Sequence, residues 1–268
     1  MEKKKKKTSA AGYLGKGLLF VIKTPYYIGK GVYNLSKKNS QRRANKKIKK
    51  ERELMTSEYG EFNILEVISG DYNKWLEKIY TSDSQIGIIL GARGSGKTAF
   101  GIKFLENFHA KKNKKCFAIG FNEDELPSWI KGVKDISELE NDSFVLIDEG
   151  GVLFNSRSSM SNANKMLSQL IMIARHKNLS ILFISQNSSN LEVNVLRQAD
   201  FIILKPSSLL QTEFERKIIQ KIYEETKDSF KKFEEDEGIT HIFSGSFRGF
   251  VSNPLPSFWR ENLSKSFK

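Results

Sequence analysis

At 268 residues with one cysteine, the chain is long enough for one well-cored domain plus a tail, and a disulfide-stapled scaffold is excluded. The formal charge of +13 is concentrated at one end: residues 1–53 hold 17 Lys/Arg against three Glu, and the remainder holds 27 basic against 28 acidic residues. The high isoelectric point therefore reports a basic arm on a neutral body, not a basic folded face.

MEKKKKK is a charge block of the kind that stays solvated. In residues 11–38 the uncharged runs stop at about half a dozen residues, far below the ~20 that cross a bilayer. Placed on a helix, Leu14, Leu18, Val21, Ile22 and Pro25 share one side, while Lys16, Lys23, Lys30 and Lys37 recur every seven residues. That pattern suits an anionic membrane surface. The glycines at 12, 15, 17, 29 and 31, together with Pro25, favour instead a disordered or partner-bound arm. Residues 39–53, nearly all polar and basic, read as a linker or a nucleic-acid-contacting helix. The arm is placed at 1–54 and the folded body at 55–268. No cleavable leader is legible, and Cys116 in the apolar run 116–121 reads as a buried small hydrophobe. A cytoplasmic location is expected, with the arm as a peripheral contact to the inner membrane face if it binds lipid.

In the body, Tyr72, Trp75, Leu76 and Ile79 define a short helix at 71–80. SQIGIIL (84–90) has the length and composition of a strand, and residues 98–112 carry Phe100, Phe104, Leu105 and Phe108 at helical spacing. KKCFAIGFN (114–122) reads as a second strand, LPSWIKGV and ISELE as short helical pieces, and SFVLIDEG (143–150) as a buried strand. Ala163, Met166, Leu167, Leu170, Ile171 and Ala174 make the clearest amphipathic helix, over 163–178. Apolar runs at 179–187 and 199–207 flank a short helix. Residues 211–238 read as one long helix with Phe214, Ile218, Ile219, Ile222 and Tyr223 inward, ended by Gly238. A hairpin of 240–245 and 247–253 closes the body. Apolar strands alternating with helices predict an α/β domain whose mainly parallel sheet is covered on both faces.

Between the first strand and its helix stands GARGSGKT, residues 91–98, which fits G-x-x-x-x-G-K-[ST] at every fixed position. Glycines let backbone N–H groups close around phosphates, and the helix start adds its partial positive charge. Gly91, Ala92, Arg93, Gly94, Ser95, Gly96, Lys97 and Thr98 are therefore the candidate nucleotide-binding residues. Lys97 would reach the β- and γ-phosphates and the Thr98 hydroxyl would hold Mg²⁺. FVLIDEGG puts Asp148 and Glu149 at the end of a buried strand, where α/β sheets bind ligands. Asp148 would hold Mg²⁺ through water, and Glu149 would activate the attacking water. Gln186 ends the next strand and would read the γ-phosphate or orient water. Arg175 closes the amphipathic helix. It either interacts with the helix dipole or is an arginine finger for a neighbouring subunit, with Arg157 and Arg197 as rivals. The three histidines and the cysteine form no metal set.

These strings together, and the stretch ARHKNLSILFISQNSSNLEVNVLRQADFIILKP, resemble the FtsK/HerA class of P-loop ATPases. Within it the chain is most similar to Zot-like proteins and small viral genome-packaging ATPases, over roughly residues 84–260. FRGFVSNPLPSFW resembles the closing segment of archaeal Zot-like proteins. The resemblance implies a RecA-like core, with the strand bearing Glu149 separated from the phosphate-loop strand by the strand ending in Gln186. It also implies ATP hydrolysis by a ring, a hexamer, that moves double-stranded DNA. A membrane-associated ATPase serving particle assembly or export is the alternative. A GTP switch would call for N-K-x-D, which does not occur, and a kinase would not need Glu149 beside Asp148.

Overall fold

The side chains of β2 (Ile86–Leu90) divide the core in two, because successive residues of a strand face opposite sides of the sheet. Ile86, Ile88 and Leu90 join one buried cluster and Ile89 the other. The same alternation holds in β3 (Lys115–Ile119), where Cys116 and Ala118 oppose Phe117 and Ile119, and in β5 (Ser143–Asp148), where Phe144 and Leu146 oppose Val145 and Ile147. It holds again in β6 (Ser180–Ile184). Strands apolar on both faces must be covered on both faces, and they are.

The computed structural model describes residues 33, 34, 36–148, 160–260 and 263. The chain divides into two compact units, residues 1–50 and 51–268. In the first, residues 36–50 are helical and exposed apart from half-buried Ile48, in line with the helical reading of this polar, basic stretch. The disordered and amphipathic readings of the arm up to residue 32 lie outside the described residues.

The second unit is built on a nine-stranded sheet in the order β1-β9-β8-β7-β2-β6-β5-β3-β4. Here β1 is Asn63–Gly70, β4 Ile130–Val133, β7 Phe201–Leu204, β8 Ile239–Ser244 and β9 Phe247–Ser252. From β7 to β4 all neighbours are parallel, and β8, β9 and β1 add an antiparallel flank. The strand carrying Asp148 is separated from β2 by β6, as the resemblance implied.

One face of the sheet is covered by α1 (Tyr72–Thr81) and α2 (Lys97–Lys112). Phe100, Phe104 and Phe108 recur every four residues along α2, so their rings line one side of it, with centroids 5.6 and 5.4 Å apart. Trp75, Phe144 and Phe201 complete this aromatic layer. The other face is covered by α3 (Met160–Lys177), α4 (Val193–Gln198) and α6 (Lys217–Lys232), through Leu167, Leu170, Ile171, Val195, Ile219 and Ile222.

The structure departs from the sequence reading in three places. IKGV forms β4, a parallel partner of β3, where a helical piece was expected; four residues carry too little periodicity to separate the two. NILEVISG forms β1, an edge strand paired with β9, which was not foreseen. The long helix expected over 211–238 is two helices, α5 (Leu209–Glu213) and α6, separated at Phe214–Arg216. At the break Glu215 turns inward, while Phe214 and Ile218, expected inward, are 65% and 56% exposed.

On α2, fully buried Glu106 pairs with Lys103 at 2.8 Å and accepts 3.0 Å from Glu58 N–H. It also accepts from the backbone N–H and hydroxyl of Ser257. Asn107 exchanges two hydrogen bonds with Gly60. These polar groups fasten both ends of the described body to one helix.

Candidate functional site

The phosphate loop leaves β2 at Gly91 and enters α2 at Lys97. Gly91, Gly94 and Gly96 have φ of 145°, 78° and 87°, values open to glycine and strained for other residues. At Gly91 space is also decisive: a Cβ there would lie 2.7 Å from Cβ of Lys205. A Cβ at Gly94 would meet nothing within 4 Å, so the crown of the loop is open. Gly96 gives α2 no side-chain cap, which leaves the N–H groups of its first turn directed at the loop. The Lys97 ammonium donates to the carbonyls of Gly91 and Ala92, at 2.8 Å each, and so lies within the loop's curl. Ser95 Oγ is buried without a hydrogen-bond partner, and Thr98 is half-buried in the first turn of α2.

Asp148 ends β5 half-buried, paired in register with Ile184 of β6. Gln186 follows β6 by two residues and is exposed, and Ser185 N–H donates 2.9 Å to Ile89 O at the end of β2. The loop, Asp148 and Gln186 therefore share the edge where the parallel strands end, the edge at which such sheets take ligands. Glu149 and Arg157 lie outside the described residues. Arg175 is exposed in the last turn of α3, which leads directly into the start of β6; Arg197 is exposed in α4 just before the start of β7. Both sit at the opposite edge, about five strand residues or some 16 Å from their own loop. Arg93 is exposed within the loop.

Three residues at this edge escaped the sequence reading. Gln211 of α5 donates to Gly91 O at 3.3 Å and also to Gln186 O. Glu215 is buried, and its Oε2 accepts 2.6 Å from Ser188 N–H while Oε1 has no hydrogen-bond partner. Burial pushes the Glu215 carboxyl up, opposed by the hydrogen bonds from Ser188 and by the charge of Lys97. Arg216 adds bonds to Ser188 Oγ and O, at 2.9 and 3.0 Å. The third, Lys205, continues β7: its N–H donates 2.8 Å to Leu90 O, and Pro206 O accepts 3.0 Å from Ala92 N–H, so this segment backs the loop's first two residues. A polar residue closing an apolar strand, as in FIILKP, was the available signal for Lys205.

The family model described as "Zonular occludens toxin (Zot)" matches residues 85–203, from just before β2 almost to the end of β7. Over this stretch the chain is Zot-like. The Zot-like segment is somewhat under half of the chain and contains the phosphate loop, Asp148, Arg175, Gln186 and Arg197; FRGFVSNPLPSFW lies beyond it. None of the curated proteins matches the chain. Among solved structures it is similar to the DNA-packaging ATPase B204 of Sulfolobus turreted icosahedral virus, at 16% identity and TM-score 0.44, over 65% of this chain and 98% of that one. The sulfate complex of the genome-packaging NTPase B204 from Sulfolobus turreted icosahedral virus 2 gives 16% identity and TM-score 0.47, over 65% and 98%. EssC (ATPases 2 and 3) from Geobacillus thermodenitrificans gives 13% identity and TM-score 0.44, over 79% of this chain and 49% of that one.

Proposed function

We propose that the chain is an ATP-hydrolysing motor of the FtsK/HerA class that moves DNA as an oligomeric ring. One observation carries this reading: a complete phosphate loop, Asp148 and Gln186 lie along one sheet edge, on strands in the order β2-β6-β5. The loop's N–H groups and the Lys97 ammonium would bind the β- and γ-phosphates of ATP. The open crown at Gly94, the uncapped start of α2 and the orphan Ser95 hydroxyl fit such a ligand. Thr98 and Asp148, an alcohol and a carboxylate, form a hard oxygen donor set suited to Mg²⁺, which would draw negative charge from the transferring phosphoryl group. Glu149 would take the proton of the attacking water, and Gln186 would orient that water. Arg175 cannot serve its own loop across the sheet, and would act on a neighbouring subunit's nucleotide.

Measuring ATP turnover with and without double-stranded DNA, alongside the mass of the assembled species, tests the reading. Turnover that rises on DNA and comes from an oligomer supports it; a DNA-insensitive monomeric ATPase sinks the motor and leaves the phosphate site. The basic amphipathic sequence of residues 11–38 favours a second reading, an ATPase held at an anionic membrane during particle assembly or export. Among the described residues no helix is long and apolar enough to cross a membrane. Co-sedimentation with anionic vesicles that survives serine replacement of Leu14, Leu18, Phe20 and Ile22 would count against it.

A further inference from the structure

Lys205 is 1% exposed, yet no carboxylate among the described residues holds it. Its Nζ donates to Thr240 Oγ1 at 2.7 Å, Gly238 O at 3.0 Å and Asn253 Oδ1 at 3.1 Å, three uncharged acceptors for the three N–H groups of an ammonium ion. The face of Phe100 lies 5.9 Å away. Buried lysines are rare unless paired, because taking a charge out of water without a counter-charge is strongly unfavourable. This one lies against the phosphate loop. A Cβ placed on Gly96 would come within 3.4 Å of its Cε and 3.7 Å of its Nζ, and a Cβ on Gly91 would collide with its stem.

We propose that Lys205 is a positioning residue of the phosphate site, a second cation that acts through the loop from behind Gly91 and Gly96 and whose protonation is coupled to nucleotide binding. The inference rests on the phosphate-loop reading above and adds a second charge to it. Phosphates held on the far side of Gly96 supply the negative charge that the amine's own partners lack. What the phosphates do to the proton affinity of the amine, the protonated amine does to phosphate affinity.

The buried carboxyl of Glu215, pushed up by burial, bonds Ser188 and feels the charge of Lys97 at the side of the loop. Lys205 is the amine behind the loop whose protonation responds. Burial lowers its pKa to about 7. On α2, Lys97 lies within the loop, and Lys103 is paired with Glu106. His241 of β8 and Arg248 of β9 face the other side of the sheet, and Tyr223 of α6 donates to the Lys205 carbonyl, at 2.9 Å. The acidic residues Glu234, Glu235, Asp236 and Glu237, just before Gly238, are exposed. Phosphate binding raises the pKa of the amine, so binding is tightest below pH 7 and weakens as pH rises from about 7 through the raised value, by up to about tenfold per pH unit.

The test is calorimetric titration of the full-length protein with Mg²⁺ and a non-hydrolysable ATP analogue between pH 7.5 and 9, where the nucleotide phosphates are already ionised. Two buffers of different ionisation enthalpy report proton uptake. The wild type should take up a fraction of a proton at pH 8, and its Kd should rise about tenfold across the range. Lys205→Met should remove both effects. Asn253→Asp puts a carboxylate beside the amine, keeping it protonated and neutralised; it should flatten the pH profile and weaken binding several-fold at pH 7.5. Zero uptake by the wild type, or uptake that persists in either variant, overturns the proposal. Wild-type protein that binds no nucleotide at any pH would overturn the phosphate-site reading itself, and this inference with it.

Discussion

The side-chain amide of Gln211 lies 3.3 Å from the carbonyl oxygen of Gly91 and donates also to the carbonyl of Gln186, so one residue of α5 links the phosphate loop to the end of β6. Gln211→Ala should lower ATP turnover about twofold to tenfold, on the roughly 0.5–1.5 kcal/mol that a net hydrogen bond contributes. The thermal midpoint should hardly move, because α5 carries none of the core. Turnover equal to wild type would show that the link does not bear on the chemistry.

Lys97→Ala should nearly abolish ATP turnover and weaken nucleotide binding. Glu149→Gln should keep binding and lose hydrolysis, because it removes the base and leaves the phosphate loop intact. Wild-type turnover in Glu149→Gln would remove Glu149 from its role and with it the catalytic-glutamate reading of the site.

Arg175 stands at the sheet edge opposite its own loop, so as the proposed finger it would act on a neighbouring subunit's nucleotide. Arg175→Ala should bind nucleotide and fail to hydrolyse it, a loss that reaches 10³–10⁵ for arginine fingers in GTPases. Mixing Arg175→Ala with Lys97→Ala subunits should restore part of the activity, since a mixed ring can pair a sound loop with a sound finger. No recovery in verified mixed oligomers would leave Arg175 as a helix-end residue.

His241 is 1% exposed among Phe230, Phe243 and Phe250, with Nδ1 unpartnered. Burial, assisted by the charge of Arg248, lowers its pKa to about 4. The unfolded histidine binds its proton near pH 6.5, so between 6.5 and 4 the unfolded chain holds more protons than the folded one. The stability given by the neutral ring is complete above pH 6.5 and is lost as pH falls through that window, on the order of 3 kcal/mol in all. Denaturant titrations at pH 7, 5.5 and 4.5 should show this loss, and His241→Phe should reduce it. An unchanged pH dependence in the variant would place the titrating group elsewhere.

Glu106→Gln should destabilise the body by about 3–5 kcal/mol, because it leaves Lys103 charged and buried without its partner. The midpoint of chemical unfolding measures this. A shift below about 1 kcal/mol would mean that water reaches the pair.

The parallel strands and the phosphate loop could be read from the sequence because their signals are local. IGIIL, SFVLID and SILFI are uninterrupted apolar runs, and GARGSGKT is a contiguous string. β1 was not legible: as an edge strand it leaves Ile64, Val67 and Ile68 about half exposed, so its residues show no clean alternation. The break at Phe214–Arg216 was hidden by helical spacing that continues across it, and it depends on Glu215 reaching Ser188, 27 residues away. Gln211 and Lys205 reach the loop only because the fold sets β7 beside β2. A partner more than a hundred residues distant leaves no mark in local sequence.

The clamp at Glu106 has a topological consequence. Ser257 Oγ lies 3.2 Å from Thr56 O across 201 residues of sequence, so the two ends of the described body meet. The described body is nearly a closed circuit. A short linker from Ser257 to Thr56 would seal it, and new ends opened in the exposed turn at 234–237 would cut no strand. The seam such a linker would close runs through Glu106, which accepts from Glu58 N–H on one side and from Ser257 on the other.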